Sequence, residues 1–221
     1  MKSLKVTFGL LAMALCAFTT SVSAQVTLSG GADFVSSYIW RGAYCAGASV
    51  QPYAEVAAGN FAVGVWGSTG LEESVGAKEV DYYVSYSTGG FSALITDYWC
   101  GIEGGTYGQG HVYEASVGYT FGDSFPLSIS FNMNFAGDDD NSSYIALDYP
   151  IDINGVGLDL GVGITPAAGA YADDFNVCSV SARVSKALTI TDSFELPVFV
   201  DAIANPASKQ AYLLGGFSLS F

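Results

Sequence analysis

The sequence of 221 residues sets 21 Asp and Glu against 7 Lys and Arg, a formal net charge of −14, yet half of it is hydrophobic and 13% is charged. Soluble domains ordinarily carry about 25% charged residues; here 27 glycines and an aromatic content of 14% take that place. So many aromatic residues exclude a disordered chain, and so acidic a chain lacks the cationic surface that a phosphate backbone demands, so nucleic acid is not an expected partner.

Residues 1–24 read as a cleaved secretory signal. Lys2 and Lys5 give a basic start, Val6 to Phe18 an apolar stretch, and Val22-Ser23-Ala24 a small-residue cleavage site. The apolar run is shorter than the roughly 20 residues of a membrane-crossing helix, which argues against an anchor. Cys16 lies inside that run, between Leu15 and Ala17, and is not read as a lipidation site. The mature domain is then 25–221, with five basic residues against 21 acidic ones.

No stretch of the mature domain is apolar for long enough to cross a membrane as a helix, and its hydrophobicity is spread by alternation. In chain order, twelve strands are expected near 26–41, 48–58, 60–68, 78–88, 90–99, 111–121, 126–136, 143–152, 155–165, 175–186, 189–202 and 210–221. Val80, Tyr82, Val84 and Tyr86 interleave with Asp81, Tyr83 and Ser85. Leu127, Ile129, Phe131, Met133 and Phe135 interleave with Ser128, Ser130, Asn132 and Asn134. Val156, Leu158, Leu160, Val162 and Ile164 alternate with Gly157, Asp159, Gly161 and Gly163, and Leu213, Gly215, Phe217, Leu219 and Phe221 form the last such row. A period of two marks strands with one apolar and one polar face.

Short turns at Gly59-Asn60, Gly89-Gly90, 122–125 and Ile153-Asn154, with a somewhat longer one at Ala187-Leu188, alternate with longer loops at 42–47, 68–77, 100–110, 137–142, 166–174 and 203–209. This is the layout of an all-β, antiparallel transmembrane β-barrel of about 12 strands, with short periplasmic turns and longer extracellular loops. A secreted β-sandwich or a closed soluble barrel would share the periodicity. The polar faces rich in Gly and Ser, the scarcity of edge lysines, and aromatics near strand ends at Tyr38, Trp40, Tyr98, Trp99, Tyr113 and Tyr119 favour a membrane girdle. The expected location is the outer membrane, with its lipid against the apolar faces.

Charge on a strand is costly against lipid, so the charged strand residues are expected to line the lumen. They are Asp33, Glu55, Glu79, Asp81, Glu114, Asp148, Asp159, Glu195 and Asp201, against Arg41 and Arg183. Two readings stay open: a polar core in which the arginines pair with carboxylates, and a selectivity lining, since rings of carboxylates favour cations. Twelve strands lie between the filled eight-stranded barrel and the open sixteen-stranded channel.

His111, the single histidine, stands beside the longest loop with Glu114, Ser116 and Asp97 in reach, the residue types of an outer-membrane hydrolase. The chain offers neither a nucleophile elbow nor a second histidine, and a solvated loop histidine with no enzymatic role is the expectation. Asp138-Asp139-Asp140-Asn141 lacks the spacing of a calcium loop and reads as a solvated acidic loop. The glycines of 101–110 follow no phosphate-binding pattern. No cofactor or metal is expected. The mature domain keeps Cys45, Cys100 and Cys178; a Cys45–Cys100 disulfide tying two loops and three free thiols are both compatible with these positions.

Ser37-Tyr38-Ile39-Trp40-Arg41-Gly42, Val50-Gln51-Pro52, Gly59 to Ser68 with its Gly-Val-Trp-Gly-Ser end, and Glu79-Val80-Asp81-Tyr82-Tyr83 together resemble the Gcw_chp family of bacterial proteins, predicted outer-membrane barrels without an established function. The block covers roughly the first third of the mature domain. The resemblance implies architecture and location and supplies no substrate or catalytic residue. Likeness to barrel proteins in general implies that Phe221 acts as an assembly signal for the barrel-insertion machinery. The expected function is a narrow, porin-like channel with an acidic lumen that passes small solutes or cations; the alternative is a structural or surface-interaction barrel with a filled lumen.

Overall fold

The computed structural model describes residues 25–72, 78–101 and 106–221. The expected signal segment 1–24 and parts of the loops at 68–77 and 100–110 lie outside the described residues. Within them the strands are β1 (Val26–Val35), β2 (Tyr38–Trp40), β3 (Ala43–Ala46), β4 (Ser49–Ala58), β5 (Phe61–Gly70), β6 (Lys78–Thr88), β7 (Phe91–Cys100), β8 (His111–Thr120), β9 (Ser128–Ala136), β10 (Ser143–Asp152), β11 (Gly157–Thr165), β12 (Asn176–Thr191), β13 (Phe194–Asn205) and β14 (Gln210–Ser220). All but β2 and β3 close into one antiparallel barrel of twelve strands, in which β1 pairs with both β4 and β14. Closure leaves the barrel without a free edge strand.

The alternation seen in the sequence becomes an inside and an outside. Residues opposed across antiparallel strands share a face, and one such row runs from Glu55 through Gly64, Tyr83, Thr96 and Glu114 to Asn134. Glu114 is 1% exposed, so this is the interior face. The opposite face carries Phe61, Phe91, Ile95, Val117, Phe131, Met133, Leu160, Val184 and Val200, all exposed. So continuous an apolar exterior is far beyond what a water-soluble surface tolerates.

Glycine on the interior face makes room for rings. A Cβ on Gly64 would fall 2.2 Å from the Tyr83 ring, and one on Gly163 would overlap the Tyr144 ring, so each aromatic lies flat across the neighbouring glycine. The wall thus seats bulky side chains against its own backbone.

The expected strand 26–41 departs from the structure. β1 ends at Val35, and 36–48 turns away from the wall as a separate two-stranded hairpin, β2–β3. Arg41 (φ 49°) and Gly42 (φ 81°) form its tip, with Trp40 opposite Ala43. Two successive left-handed residues make the type I′ geometry that matches strand twist in a tight hairpin.

The β1–β14 seam has five opposed pairs against ten for β1–β4. Phe34 and Phe217 stack across it at 4.7 Å, the Phe221 amide donates to the Gly30 carbonyl at 3.0 Å, and the Phe221 ring covers Gly30. Aromatic pairs contribute about 0.5–1.5 kcal/mol beyond area burial. Phe217→Ala should lower barrel stability by at least that amount, and Phe221→Ala should reduce the folded fraction by less, both read as the mobility change of unheated against heated samples on gels. Unchanged folded fractions for both would show that backbone pairing alone holds the seam.

Candidate functional site

The hairpin delivers Arg41 into the end of the barrel that bears the longer loops. Arg41 Nη1 donates to Glu114 Oε2 at 2.5 Å and to the Tyr171 hydroxyl at 2.5 Å, and Nη2 donates to Glu114 Oε1 at 2.9 Å. Its guanidinium carbon lies 4.4 Å from the Trp40 ring centre and 4.5 Å from that of Tyr144. Tyr98 and Ser116 hydroxyls donate to Glu114 Oε1 at 3.0 and 3.3 Å. The planar fork of Arg matches a carboxylate in two parallel bonds, and its flat faces accept aromatic rings, a combination that Lys cannot reproduce.

The tip is seated against the wall as well. A Cβ on Gly42 would meet the Cys178 carbonyl at 2.1 Å, and Asn205 Nδ2 donates to the Gly42 carbonyl at 3.1 Å. Cys178 is the extra residue where the β11–β12 register shifts beyond Gly163, and a second shift lies at Tyr113/Glu114. Bulges of this kind re-aim side chains beside functional sites. Loop 166–175 is fixed by the Ala170 amide donating to Ser142 Oγ at 2.7 Å and Thr165 Oγ1 donating to the Ala167 carbonyl at 2.8 Å, which carries Tyr171 to Arg41.

Beside this knot lies a cavity of about 710 Å³, lined among others by Tyr38, Trp40, Tyr98 and Tyr171 and by Glu79, Asn134 and Asp138 to Asp140. Asp138 accepts from Asn134 Nδ2 at 2.8 Å and from the Ser142 and Asp140 amides at 2.9 and 3.1 Å. Its partial burial works toward a higher value, but these hydrogen bonds win and hold the carboxyl down to about 2.

Every charged wall residue expected in the lumen lies on the interior face, and Arg41 reaches the interior from the hairpin instead. Glu79 and Asp81 oppose Ser68 and Trp66, Asp33 opposes Gln51, and Asp148 opposes Gly161. Tyr83 donates to Glu55 at 2.9 Å, and Thr189 donates to Glu195 at 3.2 Å. Arg183 forks onto Asp201 at 2.6 to 3.0 Å over the Phe199 ring, with Asp159 opposite it on β11. The structure therefore gathers two arginine centres, one in the hairpin and one between β12 and β13, and leaves Asp148, Asp159 and Glu195 exposed on the interior face.

Three girdle expectations are corrected. Tyr38 and Trp40 belong to the inward hairpin and Tyr98 lies on the interior face, where Trp40 and Tyr98 pack at 5.5 Å; Trp99, Tyr113 and Tyr119 do face outward. The expectation that strand charge faces inward also fails at Asp97, which opposes Tyr82 and Tyr113 on the outer face. It is tolerated because His111 Nδ1 binds Asp97 Oδ1 at 2.7 Å and the pair is covered, leaving Asp97 8% exposed. His111 Nε2 faces the Tyr107 carbonyl, and Glu114 and Ser116 lie on the other side of β8. Cys45 and Cys100, the pair considered for a disulfide, line the same cavity as free thiols, and Cys178 is a free buried thiol. Sequence reading missed Tyr144, Tyr171 and Asn205; the one visible signal was Tyr171, a lone aromatic in a loop of small residues.

Fold and site together define a closed twelve-stranded β-barrel with an apolar exterior, a charged interior and a hairpin clamped into one mouth. No family model and no curated protein matches the chain. Among solved structures, a triple mutant of the Rh. blastica porin is similar over 78% of this chain and 55% of its own, at 10% identity and a TM-score of 0.44. The chain thus spans about half the length of that porin.

Removing one partner of a buried pair typically destabilises by about 3–5 kcal/mol. Arg41→Ala should approach that loss in the thermal or urea unfolding of the detergent-folded barrel, with Arg41→Lys recovering part of it. Gly42→Ala should destabilise through the clash with Cys178. An unaltered transition in Arg41→Ala would show that the hairpin is not held by this pair.

Proposed function

We propose that this chain is an outer-membrane barrel of porin type that acts as a narrow, cation-preferring channel, with the Arg41 knot as its constriction. The carrying observation is the interior below the knot. Glycine, serine and alanine dominate the opposed positions there, and Asp148, Asp159 and Glu195 stand exposed in that space. Small side chains leave volume for water, and carboxylates spaced around a water-filled wall attract cations. The apolar exterior supports a lipid location, with outward Trp99, Tyr113 and Tyr119 at strand ends where interfacial aromatics sit. The signal at 1–24 and the Gcw_chp resemblance agree with this location.

The reading is non-enzymatic. His111 has both ring nitrogens engaged, by Asp97 and by the Tyr107 carbonyl, and the residues that would complete a hydrolytic set lie on the opposite face of β8. A structural barrel with a filled lumen is the second reading, favoured by one observation: hairpin β2–β3 and Tyr171 occupy the mouth.

Conductance across a planar bilayer separates them. The native protein should show small steps whose reversal potential in a KCl gradient marks cation preference. Arg41→Ala should enlarge the steps and strengthen that preference, because the constriction loses both its ion pair and a positive charge. Silent membranes for both proteins would overturn the channel and leave the filled barrel.

A further inference from the structure

We infer that the interior wall of β4, β5 and β6 binds the guanidinium group of a small solute, at Glu55 beside the rings of Tyr83 and Tyr53, a deepening that rests on the cation-channel reading above. The chain builds such a site twice with its own arginines. The Arg41 guanidinium carbon stands 4.5 Å from the centre of the Tyr144 ring, that ring lies against Gly163, and the fork closes on Glu114. The Arg183 guanidinium carbon stands 4.4 Å from the centre of the Phe199 ring, that ring lies against Gly216, and the fork closes on Asp201. In each, a glycine makes room for a ring against the wall, a guanidinium covers the ring, and a carboxylate takes the fork.

The same parts stand on β4, β5 and β6. Glu55, Gly64 and Tyr83 are opposed in one row of the interior face, with the Tyr83 ring against Gly64. The Tyr83 hydroxyl donates to Glu55 Oε2 at 2.9 Å, just as Tyr98 donates to Glu114 at 3.0 Å. Tyr53 precedes Glu55 on the same face and lies over Gly31 of β1, where a Cβ would come within 2.9 Å of its ring. Tyr53, Glu55 and Tyr83 are each half-buried, so they meet the lumen. The chain has two arginines, and both are engaged elsewhere. Among its described lysines, Lys186 opposes Val198 on the outer face, Lys209 lies in the turn before β14, and Lys78 lines the mouth cavity.

The ligand chemistry follows from these parts. A carboxylate oriented by a tyrosine hydroxyl accepts paired N–H bonds from a planar cation, and a ring beside it favours a flat, weakly hydrated group over a compact ammonium. Positive charge over an aromatic face is itself attractive. An inorganic divalent ion fits less well, since Glu55 is a single carboxylate and, among the described residues, no group of three acidic, histidine or cysteine side chains converges on one point.

Three probes test this by calorimetry on the full mature protein folded in detergent at low salt. They are propylguanidinium, which is an arginine side chain cut from its backbone, propylammonium with the same charge, and neutral propylurea. Trp66 opposes Tyr53 on β5, so tryptophan fluorescence gives a second readout. Propylguanidinium should bind saturably and roughly tenfold more tightly than propylammonium, with no saturable response to propylurea. Glu55→Gln should weaken it roughly tenfold or more, and Tyr83→Leu should do the same by removing the ring. Tyr83→Phe, which keeps the ring and loses the hydroxyl, should weaken it less, and all three unheated barrels should keep their gel mobility. Equal binding of the two cations would reduce the site to charge attraction and overturn the inference, as would tight binding that survives both Glu55→Gln and Tyr83→Leu. A barrel that conducts but ignores propylguanidinium refutes this site alone, whereas one that binds it but never conducts refutes the channel alone.

Discussion

The mouth of this barrel depends on how one guanidinium is kept charged away from bulk water. Arg41 has a side chain 12% exposed and Glu114 one 2% exposed. Two ions so enclosed lose most of their hydration, and their attraction offsets that loss when the geometry is close and remaining hydrogen-bonding capacity is met. Both conditions hold, with a two-armed fork, hydroxyls from Tyr98 and Ser116 on the carboxylate, the Tyr171 hydroxyl on the arginine, and rings on its faces. The pair spans 73 residues and joins a hairpin to the barrel wall, and Tyr171 draws in a third segment. The ion pair thus ties two connecting segments, the hairpin and the loop that carries Tyr171, to the wall at Glu114.

The outside follows a different rule. There the apolar row is sufficient by itself, and Asp97, the one outward carboxylate on the described strands, shows what an exception requires: a histidine partner at 2.7 Å and the aromatic neighbours Trp99, Tyr107 and Tyr113 around that histidine. The same chemical need, a partner for a desolvated charge, is met inside by Arg41 and outside by His111.

Much of the fold was legible because a barrel wall is a repetitive object. A two-residue period together with alternating short and long connections fixes strand number, facing and the position of the charged set, and Asp81, Asp159 and Asp201 fell inward on parity alone. The hairpin was not legible for a physical reason. Tyr38-Ile39-Trp40 continues the β-rich pattern of 26–35, and the departure from the wall is decided by tertiary contacts of Gly42 with Cys178 and Asn205 that no local window contains. The Arg41-Gly42 turn was in the sequence, but an arginine with positive φ has no local preference to announce it. Tyr38, Trp40 and Tyr98 were misplaced for the same reason, since an aromatic near a strand end serves a lipid interface or an arginine box equally well. Residues from three separated stretches of the chain, Tyr38 with Trp40, Ser68, and Glu79, converge on the lining of the mouth cavity.

The central claim is that Arg41 and Glu114 act as one unit in holding the hairpin. A double-mutant cycle tests it most directly, comparing Arg41→Ala, Glu114→Ala and the double variant in urea unfolding of the detergent-folded barrel. The two ends of a shared pair should be non-additive by about 1–3 kcal/mol, the double variant being more stable than the sum of the single losses implies. Additive losses, within about 0.5 kcal/mol, would contradict the account, because they would mean that each residue is held by its own surroundings and not by the other.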